Sequence, residues 1–168
     1  MMAAMETHPT LVALGADYPE IRDSVAAICA GFPGVYWRDL EDEQAYPEAF
    51  VKALTDAGYL AALIPEEYGG SGLPLRAAAV ILEEIHASGC SAGACHAQMY
   101  IMGTLLRHGS EAQKEKYLPE IAAGRLRLQA FGVTEPTTGS DTTQLRTKAV
   151  RDVPSPRVQG LRKRMSCT

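Results

Sequence analysis

The chain lacks any apolar run near the roughly 18 residues that a membrane-spanning helix requires. Its first fifteen residues also lack the basic start and long apolar core of a secretory signal. The formal net charge is only −4, which gives no electrostatic reason for binding nucleic acid or a membrane surface. These absences predict a soluble, intracellular protein with no nucleic-acid partner and no membrane insertion.

Cysteine is scarce, and no C-x-x-C pair occurs among Cys29, Cys90, Cys95 and Cys167. A chain of 168 residues that is 46% hydrophobic can bury a core without disulfide bonds. We therefore expect reduced, buried thiols.

Metal-ligand patterns are incomplete. Glu83 and His86 form an E-x-x-H pair, but a di-iron bundle needs two such pairs, and the chain has only one. Cys95 and His96 have no second ligand pair or orienting acid at a useful spacing. The sequence thus predicts no metal site, with the first pair on a solvated helix face and the second in a buried core.

Hydrophobic spacing predicts five helices. They cover about 19–30, 47–57, 75–88 and 91–108, and a fifth begins at the capping box of Ser110 and Gln113, is disturbed by Pro119 and ends at Gly124. Residues 31–34 are expected to form a loop. The helix at 91–108 has little polar surface, which favours a central place in a bundle.

Two segments have the alternation of strands instead. Apolar and polar residues alternate over about 126–130 and again over about 145–149. We expect two strands, one on each side of the segment 131–141.

The segment 131–141, with the sequence FGVTEPTTGSD, is the best candidate for a ligand loop. The hydroxyl of Thr134 can donate to a planar ring that contains heteroatoms. Gly139 has no Cβ, so the N–H groups that follow it can approach a phosphate oxygen. The alternative is an ordinary loop between two strands with a proline turn.

A second glycine-rich turn, 69–72, has two interpretations. Glycine-rich turns before helices can bind anions through free N–H groups. No Lys-Ser/Thr follows, which excludes a P-loop. The connection of two helices, anchored by Tyr68 and Leu73, is the favoured interpretation.

Three motifs together resemble the acyl-CoA dehydrogenase family. The segment 131–141 is similar to its flavin-binding signature, aromatic-x-[VLI]-[ST]-E-P-x-x-G-S-D. Residues 58–72 resemble its G-(x)n-P-E-x-Y-G-G-x-G turn, and residues 108–119 resemble its G-[ST]-E-x-Q-K-x-[KR]-Y-L-P helix. The three occur in the family's order and cover about residues 15–152.

The resemblance implies a mainly α fold: the N-terminal helical bundle domain of the family, followed by the first strands of a truncated β domain. We expect the helical domain at 1–124 and the start of the β domain at 125–152. Residues 153–168 are basic and lack the family pattern, so we expect a non-native or disordered tail. The hypothesis is a truncated or frame-shifted form of a longer protein.

The resemblance also implies FAD as the cofactor. Phe131 and Val133 are then expected near the isoalloxazine edge, Thr134 toward ring atom N5, and Gly139 with Ser140 at the pyrophosphate. Ser140 is in addition the family position that contacts the acyl-CoA substrate.

The helix at 91–108 lies along the acyl tail in the family. Met99, Tyr100 and Met102 are the resulting candidates for pocket residues. The alternative is that the methionines fill gaps in the core.

The implied reaction is oxidation of an acyl-CoA to a 2-enoyl-CoA with hydride transfer to FAD. The family's glutamate base comes from a C-terminal helical domain, so no catalytic residue is assigned here and the chain alone is expected to be inactive. The implied partners are a flavoprotein that accepts electrons and further copies of the full-length parent. The expected location is the cytoplasm, with the mitochondrial matrix as the alternative.

Two other functions stay open at this point. One is a non-catalytic helical interaction module that retains the bundle without redox work. The other is a related acyl-CoA oxidase or flavin monooxygenase on the same fold.

Overall fold

The computed structural model describes residues 17–130 and 132–148. These residues form six α-helices and no β-strand: α1 (Pro19–Cys29), α2 (Gly34–Glu43), α3 (Glu48–Asp56), α4 (Leu75–Ala87), α5 (Gly93–His108) and α6 (Glu111–Ala122). Short 3-10 turns lie at Tyr59–Ala61, Glu66–Tyr68 and Thr142–Gln144. The prediction of a mainly α fold is confirmed.

The chain divides into two compact units between Ala130 and Phe131. The first unit contains all six helices and the hydrophobic core. The second contains the candidate ligand loop. The domain limits expected from the sequence stay predictions.

Local signals in the sequence set most helix ends. In α6 the Ser110 hydroxyl accepts from the N–H of Gln113 at 3.3 Å, and the Gln113 side chain accepts from the N–H of Ser110 at 2.9 Å. The predicted capping box is therefore present. Gly124 follows the helix with a φ of 70°, as expected for a left-handed residue after a helix end.

Two details of the helices differ from expectation. Pro119 lies within α6 without ending it. The helix continues past it, and its carbonyl accepts from the N–H of Ala123 at 3.0 Å. Pro47 precedes α3 as its N-cap and is not the first helical residue.

Helix α2 was not predicted. It has no buried residue, so it lacks the apolar stripe on which the search for helices depended. It is attached to the bundle through aromatic rings that meet edge to face, at centroid distances of 4.9–5.1 Å: Phe32, Tyr36, Trp37 and Phe50. Such contacts stabilise beyond the area they bury.

The core is formed by apolar side chains of α1, α3, α4, α5 and α6. Its largest fully buried members include Phe50, Leu54, Ile81, Ile85, Met102, Leu118 and Ile121. Helix α5 is less central than predicted, because Ile101, Leu105 and Leu106 are only half-buried. One face of α5 is thus partly open among the described residues.

An ion cluster joins α1 to α4. The guanidinium of Arg22, whose side chain is 10% exposed, contacts Asp17 at 3.1 Å, Glu83 at 2.7 Å and Glu84 at 3.4 Å. Hydrogen bonding to Arg22 is the largest cause that lowers the pKa of Asp17. The cluster fixes the packing of two helices that are distant in sequence.

The two predicted strands are absent among the described residues. Residues 126–130 and 145–148 belong to no regular element. A strand requires a neighbouring strand to satisfy its backbone, and the described chain supplies only an isolated bridge between Glu135 and Thr138. Leu126 and Leu128 pack against the core instead.

Some predictions lie outside the described residues: the basic tail 153–168, the ring of Phe131 and Cys167. Cys29, Cys90 and Cys95 are free and buried, as predicted. None of the described helices is long and apolar enough to span a membrane.

Candidate functional site

A tight turn shapes the middle of the candidate ligand loop. The N–H of Glu135 donates to the carbonyl of Thr138 at 2.9 Å, and the N–H of Thr138 donates back to the carbonyl of Glu135 at 3.0 Å. Pro136 and Thr137 occupy the two central positions. Proline suits the first of these positions because its φ is already that of a turn.

The carboxylate of Glu135 ties this turn to the segment that follows the loop. It accepts hydrogen bonds from the N–H of Arg146 at 3.0 Å and from the N–H of Thr147 at 2.7 Å. The hydroxyl of Thr147 donates to it as well. Hydrogen bonds from the Thr147 hydroxyl and from these two amides hold the pKa of Glu135 below its ordinary value.

Asp141 shapes the far end of the loop. Its side chain accepts from the N–H of Thr143 at 3.1 Å and caps the 3-10 turn Thr142–Gln144. The Thr143 hydroxyl also donates to Asp141. Hydrogen bonds from this hydroxyl, from the Gln144 side chain and from the Thr143 N–H lower the pKa of Asp141. Thr138, which is only 6% exposed, donates its hydroxyl to the carbonyl of Gln144 at 3.4 Å.

These positioning roles of Glu135, Thr138 and Asp141 were not foreseen from the sequence. An acid before a proline is a visible signal. Its partners lie 11 and 12 residues away, and no local spacing rule identifies them.

The predicted ligand groups are left free by this arrangement. Thr134, Gly139 and Ser140 are exposed, and the Thr134 hydroxyl and the N–H groups of Gly139 and Ser140 donate to no other described residue. A Cβ built on Gly139 would have no atom within 4 Å. Val133 is half-buried. The ligand roles of these residues stay predictions.

The turn at 69–72 is a helix connection and not an anion cradle. Its N–H groups are already used: Gly70 donates to the carbonyl of Pro65 at 3.2 Å, and Gly72 donates to that of Ile64 at 2.8 Å. A Cβ on Gly70 would lie 2.1 Å from the Ile64 carbonyl oxygen. Gly70 is required by this close backbone approach, and Tyr68 and Leu73 pack against the core as expected.

The two incomplete ligand patterns lie in different surroundings. Cys95 is buried as expected, whereas His96 is exposed, so the prediction of a buried core holds for the cysteine alone. Glu83 is engaged by Arg22, and no group of three potential ligands converges among the described residues. Burial raises the pKa of the Cys95 thiol to about 12, which leaves it protonated and unreactive near neutral pH.

The methionines of α5 belong to the core. Met99 is 5% exposed and Met102 is 1% exposed, which supports the gap-filling alternative. Tyr100 is half-buried and its ring meets that of His96 edge to face at 5.1 Å.

Comparison with known proteins decides the family. Residues 16–125 match the model of the acyl-CoA dehydrogenase N-terminal domain, which is well over half of the chain. The chain belongs to the acyl-CoA dehydrogenase family.

Individual acyl-CoA dehydrogenases are similar over most of the chain. Glutaryl-CoA dehydrogenase of Desulfococcus multivorans is 42% identical over 108 residues, which cover 61% of the chain and 27% of that protein. An acyl-CoA dehydrogenase of Mycobacterium leprae, fadE25, is 32% identical over 144 residues, covering 84% of the chain and 36% of that protein. An alignment covering 84% of 168 residues includes most of the loop at 131–141.

A solved structure agrees in fold. An acyl-CoA dehydrogenase from Mycobacterium abscessus superposes with a TM-score of 0.66 at 28% identity, covering 83% of the chain and 38% of that protein. The chain therefore spans about a third of the length of the acyl-CoA dehydrogenases that it matches.

Proposed function

We propose that the chain is the N-terminal part of a FAD-dependent acyl-CoA dehydrogenase that oxidises an acyl-CoA to a 2-enoyl-CoA. The observation that carries this proposal is that two sets of residues in the loop have different roles. Glu135, Thr138 and Asp141 use their polar groups in hydrogen bonds that hold the shape of the loop. Thr134, Gly139 and Ser140 keep theirs free.

The free groups fit the chemistry of FAD. The cofactor offers ring heteroatoms to the Thr134 hydroxyl and pyrophosphate oxygens to the N–H groups of Gly139 and Ser140. The open space at Gly139 admits a close approach of phosphate. Val133 and Phe131 would supply apolar contact at the ring edge, and Ser140 would also contact the acyl-CoA.

When bound, FAD supplies the acceptor for the hydride from the β-carbon of the acyl group. The share of this chain is to bind the ring, orient it and donate a hydrogen bond from Thr134. The α-proton needs a base, and Glu135 does not suit this task. It is ionised, held by three donors and kept at a lowered pKa, whereas a base is best poised near the working pH.

The remaining parts of the reaction are assigned to the parent protein. We propose that the base glutamate lies in a C-terminal helical domain and that a flavoprotein accepts the electrons. The parent is proposed to be a homo-oligomer in the cytoplasm. Since the chain spans about a third of its relatives, we expect no dehydrogenation of acyl-CoA by the chain alone.

Binding of FAD to the purified chain tests this proposal. We expect saturable quenching of flavin fluorescence that is weakened by Thr134→Val and by Ser140→Ala. The matched control is Thr137→Val, since Thr137 is a threonine of the same loop at the centre of its turn and outside the proposed contacts. Circular dichroism checks that each variant remains helical.

Three results would contradict the proposal or a part of it. A well-folded, colourless chain with no saturable FAD binding would favour the non-catalytic helical interaction module. Turnover of an acyl-CoA by the chain alone would show that a base is present within it. Equal loss of binding in Thr137→Val would remove the specific role of Thr134.

A further inference from the structure

Two buried cysteines meet where α1 ends. Cys29 is the last residue of α1 and is 3% exposed. The Sγ of Cys90 lies 3.8 Å from the carbonyl oxygen of Cys29 and 3.7 Å from that of Phe32. The two cysteines are 61 positions apart in the chain, so it is the packing of the helices that brings them together.

The end of α4 holds Cys90 in this place. The N–H of Gly89 donates to the carbonyl of His86 at 3.0 Å, and the N–H of Cys90 donates to that of Ile85 at 3.1 Å. These bonds form a Schellman motif, in which Gly89 is the left-handed residue with a φ of 77°. The motif fixes the backbone of Cys90 while its side chain reaches the end of α1.

The side chains of Cys29 and Cys90 also interact with each other. Burial raises the pKa of the Cys29 thiol to about 12, and the Cys90 thiol adds to this rise through its charge and through a hydrogen bond between the two side chains. Cys29 affects the pKa of Cys95 through charge alone. A disulfide requires close Cβ atoms, about 3.5–4.5 Å apart, and Cys90 is the partner whose thiol is in contact with Cys29.

Cys90 is the described cysteine that a small oxidant can reach. It lines an open cleft of about 1000 Å³ beside α2, whereas Cys29 and Cys95 do not. It is 6% exposed, and Cys95 is 0% exposed. A peroxide that enters the cleft therefore meets Cys90 before the other two thiols.

We propose that Cys29 and Cys90 form a reversible disulfide when the protein meets a peroxide, and that Cys90 is oxidised first. The peroxide transfers one oxygen to the sulfur of Cys90, which gives a sulfenic acid and one water. The sulfur of Cys29 then attacks this sulfur. The S–S bond forms, the S–O bond breaks, and the hydroxyl leaves as water with the thiol proton of Cys29. Two electrons pass from the two thiols to one peroxide.

The surroundings of Cys29 set the pace of this oxidation. Its raised pKa keeps the attacking sulfur protonated near neutral pH, which slows the second step. Its position beside Cys90 makes that step intramolecular, which removes the need for an encounter. We therefore expect the disulfide to form over minutes to hours.

Peptide mapping of the full chain tests the proposal. Cys167→Ser is present in every sample, since Cys167 lies outside the described residues. The chain is treated with hydrogen peroxide, the remaining thiols are alkylated in urea, and trypsin is added without reductant. Cys29 lies in the tryptic peptide 23–38, and Cys90 and Cys95 share the peptide 77–107. We expect these two peptides to be linked, and dithiothreitol to release them.

Three variants identify the cysteines that are joined. Cys95→Ala should retain the link, which in this variant can join only Cys29 and Cys90. Cys90→Ala and Cys29→Ala should each lower its yield at least tenfold. A chain oxidised in urea is the control, and it should give mixed links because the pairing depends on the fold.

The stability of the oxidised chain is a second measurement. A disulfide that fits the fold restricts the unfolded chain and so stabilises the folded one. The urea midpoint of oxidised Cys95→Ala should therefore be higher than that of its reduced form, and dithiothreitol should restore the lower value.

Three results would overturn the proposal: no link between the two peptides in the folded, oxidised chain, an undiminished link in a folded Cys90→Ala variant, or a lower urea midpoint after oxidation. Tandem fragmentation of the linked peptides distinguishes Cys90 from Cys95 directly, so the proposal remains testable if a variant fails to fold. The samples contain no flavin and no acyl-CoA, so the outcome is independent of the proposed dehydrogenase function.

Discussion

At the scale of single residues, Gly70 is the position where the backbone leaves least room. Replacing Gly70 with alanine places a Cβ 2.1 Å from the Ile64 carbonyl oxygen, so we expect a loss of more than about 2 kcal/mol in the free energy of unfolding. Urea denaturation measures it. The control is Gly103→Ala in α5, where the new Cβ meets nothing within 4 Å and should stabilise the chain by about 0.5–1 kcal/mol.

A Gly70→Ala chain as stable as the parent would contradict the close backbone approach described at this turn. A loss in both variants would point to a general intolerance of added volume. Only the difference between the two positions supports the role of Gly70.

The hydrogen bonds that the Glu135 carboxylate accepts depend on pH through the titration of this single residue. Its folded pKa lies below the ordinary 4.5, first because of the Thr147 hydroxyl and then because of the amides of Arg146 and Thr147. The stabilisation from the hydrogen bonds to its carboxylate is therefore complete above the ordinary pKa of 4.5, and it is lost as the pH falls through the lowered pKa of the folded chain. We expect the Thr147 amide resonance to titrate below pH 4.5, and Thr147→Val to move the midpoint upward.

A midpoint at or above 4.5 for the Thr147 amide would show that the carboxylate is not held by these donors. Asp141→Asn gives the matched comparison, since it removes a neighbouring charge of the loop and leaves the contacts of Glu135 in place. Its Thr147 midpoint should remain near that of the parent chain.

At the scale of elements, the ion cluster around Arg22 links α1 to α4. Arg22→Gln leaves Asp17, Glu83 and Glu84 without their common cation, so we expect a lower urea midpoint at pH 7. The pKa of Asp17 is lowered mainly by Arg22, so its stabilising effect is complete above the ordinary pKa of 3.8 and is lost as the pH falls through the lowered value. The difference in urea midpoint between Arg22→Gln and the parent chain should therefore be smaller at acid pH than at pH 7.

The exposed pair of Lys52 and Asp56 provides the comparison for this cluster. Their side chains are 66% and 62% exposed, and such pairs contribute little to stability. Lys52→Gln should therefore leave the midpoint almost unchanged at every pH. If the difference in urea midpoint between Arg22→Gln and the parent chain stays constant down to acid pH, the proposed coupling between Arg22 and Asp17 is excluded.

The elements also show what sequence patterns can and cannot supply. Helices α1, α4 and α6 have apolar periodicity or caps within a few residues, and their prediction is confirmed. Helix α2 is attached by aromatic contacts and has no buried residue, so a search for buried apolar stripes did not reveal it. The alternation at 126–130 predicted a strand that is absent among the described residues, because strand formation depends on a partner strand that these residues do not contain.

At the scale of the whole molecule, the candidate site was only partly predictable. The family and the mainly α fold were accessible because three motifs occur in order. The residues that hold the loop, Glu135 and Thr138, act through partners 6 to 12 positions away, and this geometry is visible only after folding.

The most direct measurement of the central claim is a titration of the whole, isotopically labelled chain with FAD, followed residue by residue through its amide resonances. We expect saturable shifts at Thr134, Gly139 and Ser140 and none at the turn 69–72, whose N–H groups are already paired. Adding AMP separates the adenine end of the cofactor from the flavin, and should leave Thr134 unmoved. A folded chain in which Gly139 and Ser140 show no shift at millimolar FAD would contradict the assignment of this loop to flavin binding.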